Sequence, residues 1–315
     1  MKIMKTISIL VPCYNEAQSL EMLYEEIVRV ISTLDDYRWE VLFVNDGSRD
    51  NTMEVIKGLR EKDGRISYVD LSRNFGKENA MLAGFDYAKG DAVVIMDADL
   101  QHPPAVIPEM IKKWEEGYDD VYAQRKSRGK ESWLRKRLTK SYYRLLQGRS
   151  RVDVLPNVGD FRLLDRKCVD ALCQMRESGR YTKGMYCFIG FKKIGVEFET
   201  QDRVSGESSM SYKKLMNLAL EGITSYTTAP LRWATFIGLI VSIFAFAYMV
   251  FVLIKAFLYG DPVAGYPTLL TVILFIGGVQ LLTIGIIGEY LAKVFVEVKN
   301  RPVYIIKEYD GGEKR

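Results

Sequence analysis

An α/β fold built on a mostly parallel sheet and followed by two membrane-spanning helices is what this sequence predicts, on three observations. Short β-rich runs at residues 7–11, 40–44 and 67–70 alternate with helix-length stretches, the rhythm of strands joined by crossover helices. A further run, AVVIM at 92–96, is apolar throughout; a strand covered by helices on both faces reads that way, which places it at the centre of the sheet. Two stretches, 234–254 and 267–288, hold no charged residue. Each is long enough to cross a hydrocarbon core of about 30 Å as a helix.

The elements follow in order. Before Pro12 the only apolar run is 7–11, too brief for a signal peptide, so the N-terminal region is expected to stay in the cytoplasm. Residues 104–117 read as a helix with Pro near its start and Gly at its end, and 121–123 as the next strand. Residues 133–146 have helical spacing with a heavily basic face. Between Gly148 and Ser211, Pro156, Gly159, Gly179, Gly184 and Gly190 interrupt any period. In 212–226, Leu215, Leu218, Ala219 and Ile223 recur at helical intervals beside Lys213 and Lys214, as in an amphipathic helix lying on a membrane surface. Lys213, Lys214 and Arg232 precede the first apolar stretch and Lys293, Lys299 and Arg301 follow the second, which puts both flanks on the cytoplasmic side and leaves 255–266 as a short outer loop. The expected organisation is a cytoplasmic domain over 1–210, a juxtamembrane helix over 211–232, two spans over 233–292 and a polar cytoplasmic tail over 293–315.

Composition narrows the classes. The chain of 315 residues has a net charge of +4, yet residues 125–151 hold eleven basic residues against the single acidic Glu131; that segment expects an anionic neighbour, and nothing points to nucleic acid. Cys13, Cys168, Cys173 and Cys187 form no CxxC pair, which argues for packing over zinc or disulfides. No GxGxxG follows the first strand and no GxxxxGK[ST] occurs, disfavouring a dinucleotide dehydrogenase or a P-loop NTPase. His102 is the only histidine, beside two prolines and a carboxylate pair, where a turn or supporting role competes with catalysis.

Each predicted strand runs into a polar cluster: Pro12, Tyr14, Asn15 and Glu16; Asp46, Gly47 and Ser48; Arg73, Asn74, Gly76 and Lys77; Asp97 and Asp99. Ligands of open parallel sheets bind at the carboxyl ends of strands, so these clusters converge on one crevice. Asp97-Ala98-Asp99 offers hard oxygen ligands suited to Mg²⁺ or Mn²⁺ held jointly with substrate phosphates. Such an ion could neutralise a departing diphosphate.

The strings VPCYNE (11–16), VNDGSRDNT (44–52), LSRNFGKENA (71–80), MDADLQHPP (96–104) and RVSGESSMSY (203–212) resemble the family 2 glycosyltransferases of GT-A fold. Within them, the chain looks most like the enzymes that charge polyprenyl phosphates with a single sugar, the bactoprenol-glucosyltransferase-like and dolichol-phosphate-mannose-synthase-like groups. The resemblance implies a metal-dependent transferase of the inner membrane that inverts the anomeric carbon, with UDP-glucose as favoured donor and undecaprenyl phosphate as acceptor. It implies that Pro12, Tyr14, Glu16, Asp46 and Lys77 bind the nucleotide sugar, and that Asp97, Asp99 and Gln101 form the metal and diphosphate site. Arg125, Arg137, Ser141 and Arg203 are similar in position to residues that grip donor and acceptor phosphates; Arg137 and Ser141 also share a helix face at i and i+4. Asp99, Asp160 and Arg203 carry the expected catalytic roles, with Asp153 an alternative to Asp160. A carboxylate at 160 could abstract a proton or orient Arg162 or Arg203, and Arg162 itself could hold a phosphate bidentately.

One departure from the broader family is informative: processive synthases carry QxxRW, whereas this chain has Ala229-Pro230-Leu231-Arg232-Trp233, so a single transfer is expected and Arg232-Trp233 reads as an interfacial anchor. Other donors (GDP-mannose, UDP-N-acetylglucosamine, a UDP-aminoarabinose derivative) and a non-catalytic scaffold or nucleotide-sugar sensor are the competing readings. Gly277, Gly278, Gly285 and Gly288 allow close helix packing in a homo-oligomer.

Overall fold

The structure, a computed structural model, describes residues 4–125, 158–198 and 265–311, with scattered positions between 236 and 258. The chain divides into two units: residues 1–215 together with 301–315, and residues 216–300.

The first unit is an eight-stranded sheet of β1 (Thr6–Cys13), β2 (Arg38–Asn45), β3 (Ile66–Leu71), β4 (Ala92–Ile95), β5 (Asp120–Arg125), β6 (Val158–Asp165), β7 (Lys193–Phe198) and β8 (Ile306–Asp310), in the order β7-β5-β6-β4-β1-β2-β3-β8. The block β4-β1-β2-β3 is parallel throughout, as is the β5–β7 pair. β6 runs antiparallel to both β4 and β5, and β8 antiparallel to β3. Between strands lie α1 (Leu20–Ile31), α2 (Thr52–Lys62), α3 (Lys77–Tyr87), α4 (Ile107–Glu115), α5 (Arg166–Gln174) and α6 (Thr182–Phe188), with a 3-10 turn at Pro104–Val106.

Strand alternation assigns the layers. Ile7, Ile9 and Val11 of β1 point into one core with Leu20, Leu23, Ile27 and Ile31 of α1 and Ile107, Met110 and Trp114 of α4. Leu10, on the opposite face, packs with Ala80, Met81 and Ala83 of α3 and Leu172 of α5. The α1 side chains recur every three or four residues, one helical stripe, and each buried aliphatic contributes about 1.5–3 kcal/mol. Helix α3 approaches β1 closely because Gly84 has no side chain: a Cβ there would stand 2.1 Å from Leu10 Cδ1.

The second unit contains α7 (Tyr266–Val298). The stretch Phe275–Val298 is long and apolar enough to cross a membrane and none of it is buried. Phe275, Leu281, Leu282, Ile284 and Leu291 all face outward; in water that would be costly, in lipid it is the expected state. The described positions between 236 and 258 are helical too, with Phe236, Phe244, Phe251 and Leu258 exposed.

All five strands anticipated from the first half are present, each within a few residues of its expected bounds. β6, β7 and β8 are additions. The expected polar tail 293–315 resolves differently: α7 continues to Val298, and 306–310 forms β8, whose Tyr309 and Ile306 pack against the α3 layer. The sequence hid this strand because IKEYD alternates weakly and three of its five residues are charged. The basic helix expected at 133–146, the amphipathic helix at 212–226 and the Arg232-Trp233 anchor lie outside the described residues. All four cysteines are free, and Cys13 and Cys168 are buried, in keeping with packing roles.

Candidate active site

Because β1 to β4 are parallel neighbours, their carboxyl ends open on one edge, and the expected polar clusters meet there. Interlocking hydrogen bonds fix the loops. The Asn15 backbone N–H donates to Ser48 Oγ at 3.0 Å, and Arg49 N–H donates back to Asn15 Oδ1 at 2.9 Å. Asn15 holds a left-handed φ of 57°, a conformation asparagine tolerates better than most residues. Tyr14, next to it at the end of β1, is 41% exposed. Glu16 N–H donates to Thr52 Oγ1 at 2.9 Å. Pro12 is buried near the carboxyl end of β1, past the last β4 pairing and opposite Val44 of β2.

Asp46 is almost fully buried, and its two oxygens accept Phe75 N–H at 2.7 Å and Gly76 N–H at 2.9 Å. The carboxylate therefore clamps the loop before α3, and only its remaining lone pairs are left for a ligand. Burial raises its pKa, against those two N–H donors and Arg73. Gly47 completes the clamp: φ is +63°, and a Cβ would lie 2.3 Å from the Arg73 carbonyl carbon.

β4 delivers Asp97 and Asp99. Together with His102 they form a group whose candidate ligand atoms all lie within 4.8 Å of one another. Gln101 sits on the same turn, its N–H donating to Asp99 Oδ1 at 3.1 Å, and Leu100 takes a left-handed φ of 59° to make the turn. Such backbone strain concentrates where a loop is shaped for function. His102 is buried and stacked on Phe161 at 5.0 Å, and its Nδ1 accepts the Asp97 N–H at 3.4 Å. The sole histidine thus braces the carboxylate turn.

Asp160, on β6, reaches the same place. Its Oδ2 lies 2.9 Å from Lys77 Nζ, and that ammonium lies 2.6 Å from Asp97 Oδ1. Burial opposes the charge on Asp160, but Lys77, Lys183 and Arg162 outweigh it and hold its carboxyl below the usual range. Asp160 is therefore an ion at neutral pH and a poor proton acceptor. Its Oδ1 is buried with no hydrogen-bond partner among the described residues. Arg162 does not serve as a phosphate grip. Its guanidinium is buried, paired to Asp120 at 2.9 Å, donating to the Gly159 carbonyl at 3.1 Å and stacked 3.5 Å from the centre of the Tyr186 ring. Asp160 likewise pairs with Lys77 and not with Arg162.

Glu78 was not anticipated. Its carboxylate caps the start of α6 by accepting the Thr182 N–H at 3.1 Å and the Thr182 hydroxyl. Burial, reinforced by Asp160, raises its pKa to about 7. The adjacent Lys77 and the G-K-E spacing after β3 were visible in sequence, but a partner a hundred residues away was not. Arg125 ends β5, and Arg137, Ser141, Asp153 and Arg203 lie outside the described residues.

The donor set fits a divalent cation: two carboxylates on one strained turn and an orphaned carboxylate oxygen beside them are what a hard ion accepts. Comparison with known proteins bears on the rest of the chain. Residues 8–173 match the profile described as glycosyl transferase family 2, and residues 229–294 match the one described as the GtrB C-terminal hairpin. An uncharacterised glycosyltransferase of Synechocystis sp. is 43% identical over 98% of this chain and 96% of its own length. A prophage-derived bactoprenol glucosyl transferase of Shigella flexneri is 43% identical over 97% of this chain and 99% of its own. Among solved structures, glucosyl-3-phosphoglycerate synthase of Mycobacterium tuberculosis is 18% identical with a TM-score of 0.49, over 70% of this chain and 76% of that one.

Proposed function

The chain belongs to glycosyl transferase family 2, and from that membership we propose that it transfers glucose from UDP-glucose to undecaprenyl phosphate at the cytoplasmic face of the membrane, with inversion at the anomeric carbon. The observation that carries the reading is full-length similarity to a bactoprenol glucosyl transferase, hairpin included, joined to a carboxylate site at the mouth of a parallel sheet.

Asp97 and Asp99, with Gln101 and His102 on the same turn, would hold Mg²⁺ or Mn²⁺. When bound, the ion supplies positive charge to the departing diphosphate. The residues of the chain do the positioning. Tyr14 offers its exposed ring to the nucleobase, Glu16 and Asp46 shape the loops around the ribose, and Lys77 is within reach of the phosphates. Arg125, Arg137, Ser141 and Arg203 are assigned to the acceptor phosphate. That acceptor is already anionic at neutral pH, so attack needs little help from a base, which suits an Asp160 whose pKa is held down. Asp160 then acts by aligning Lys77.

Even membrane parity supports the hairpin. The chain leaves the first unit and returns to it at 301 to add β8, so the segment between must cross a membrane an even number of times. Basic residues on both flanks put that unit in the cytoplasm.

The test is transfer of label from UDP-glucose and other nucleotide sugars to undecaprenyl phosphate by the purified full chain, with Mn²⁺ and with chelator. Chelator-sensitive labelling of the lipid from UDP-glucose is expected, and Asp99→Ala is expected to lose it while remaining folded in the membrane. Labelling from a different donor corrects the sugar alone; no lipid labelling from any donor by folded protein removes the reading.

A further inference from the structure

Three carboxylates, Asp97, Asp99 and Asp160, converge on one end of the sheet, and Asp97 and Asp160 share a single ammonium, that of Lys77, at 2.6 and 2.9 Å. Without a cation between them, like charges this close would separate or one would take up a proton. Lys77 carries the ordinary ammonium charge of a lysine at neutral pH. Among the described residues no other lysine or arginine pairs with either carboxylate. Lys183 and Arg162 act on Asp160 without pairing with it, and Arg162 is committed to Asp120.

At Asp97 this contact and metal ligation compete. An oxygen engaged by an ammonium at 2.6 Å cannot also approach a divalent ion at about 2.0–2.2 Å while that ammonium stays in place, because the two cations would repel at close range. Lys77 is able to leave. Its side chain is 42% exposed, it starts α3 directly after Gly76, whose φ is 92°, and its four-carbon stem pivots freely. The anion that arrives with the metal in this reaction class is the donor's diphosphate, a partner for a displaced ammonium.

We propose that Lys77 is an exchangeable counter-cation of the metal site, holding Asp97 and Asp160 until the divalent ion arrives and then passing to the diphosphate that accompanies it. The exchange makes the site a poor binder of metal alone and a good binder of metal with nucleotide, so that ion and donor enter together. The inference rests on the metal-dependent transfer proposed above.

The experiment is a Mn²⁺ titration of the detergent-solubilised full chain, read by the electron paramagnetic resonance signal of free Mn²⁺, with and without UDP. In Lys77→Gln, Mn²⁺ alone is expected to bind roughly two- to fivefold tighter, the scale of one partly exposed ion pair released. UDP in the presence of Mn²⁺ is expected to bind several-fold more weakly. Lys77→Arg, which keeps the charge, is expected to stay near wild type on both counts, and circular dichroism checks that each variant is folded. Unchanged or weaker binding of Mn²⁺ alone to Lys77→Gln overturns the proposal, as does unchanged UDP affinity. Asp99→Asn separates the two readings: if UDP-dependent Mn²⁺ binding by the wild type survives that substitution, the metal site itself is misplaced; if it is lost, the metal site stands and Lys77→Gln alone decides the exchange.

Discussion

At the scale of single residues, the site is a set of charges whose partners decide what each can do. Asp160 and Arg162 are two apart on β6 and point to opposite tasks: one faces Lys77 and the crevice, the other is locked to Asp120 inside the sheet. Removing Arg162 would strand a buried carboxylate, so loss of activity there would report stability. Glu78 offers a sharper test. Burial, reinforced by Asp160, raises its folded pKa to about 7, while the unfolded chain titrates near 4.5. Between those values the unfolded state gives up a proton that the folded state keeps. The stability linked to this group is therefore fully present below the unfolded pKa and is lost as pH rises through the folded one. Glu78→Gln cannot ionise and retains an acceptor for Thr182. Its thermal midpoint relative to wild type is expected to be higher above pH 7 than below pH 4.5; a difference that does not change with pH would show that Glu78 does not titrate in that window.

Among the elements, β8 is the one whose role its residues least advertise. It is held by its ladder with β3 and by Lys307 at 3.0 Å from the buried Asp70, while Lys57–Glu308 and Arg60–Asp310 are partly exposed pairs. Exposed pairs contribute little in water. Lys57→Ala is accordingly expected to shift stability by no more than about 0.5 kcal/mol. Ending the chain at Asn300 uncovers the edge of β3 and removes Ile306 and Tyr309 from the α3 layer; a loss of about 3 kcal/mol or more is expected by denaturant unfolding of the solubilised protein. Equal effects of the two changes would mean that the ion pairs, not the ladder, retain the strand.

For the whole molecule, the return of the chain to its first unit ties membrane topology to the sheet. With the hairpin topology proposed above, Asp261→Cys, between the two apolar stretches, is expected to react with an impermeant maleimide on intact cells, and Glu313→Cys only after lysis. Labelling of both from outside would break the hairpin topology with a cytoplasmic first unit. The two units also divide the chemistry: carboxylates at the strand ends, and apolar side chains facing outward along α7.

Much of this was legible from the residues themselves. Local patterning determined the five leading strands, the helix after Pro104, the uncharged stretches and the strand-end position of Asp97 and Asp99, because alternation, helical period and turn residues act over a few neighbouring positions. The family string at 71–80 contained Lys77, and the family resemblance implied Asp160. Only the tertiary structure decided that Asp160 pairs with Lys77 and Arg162 with Asp120, that His102 braces the metal turn, that Glu78 caps α6 and that the expected tail is β8. Those pairings join residues far apart in the chain, except for His102, whose bracing depends on Phe161 across the core. Which of several charged or polar groups meets which is set by packing around the sheet, and no local period encodes it.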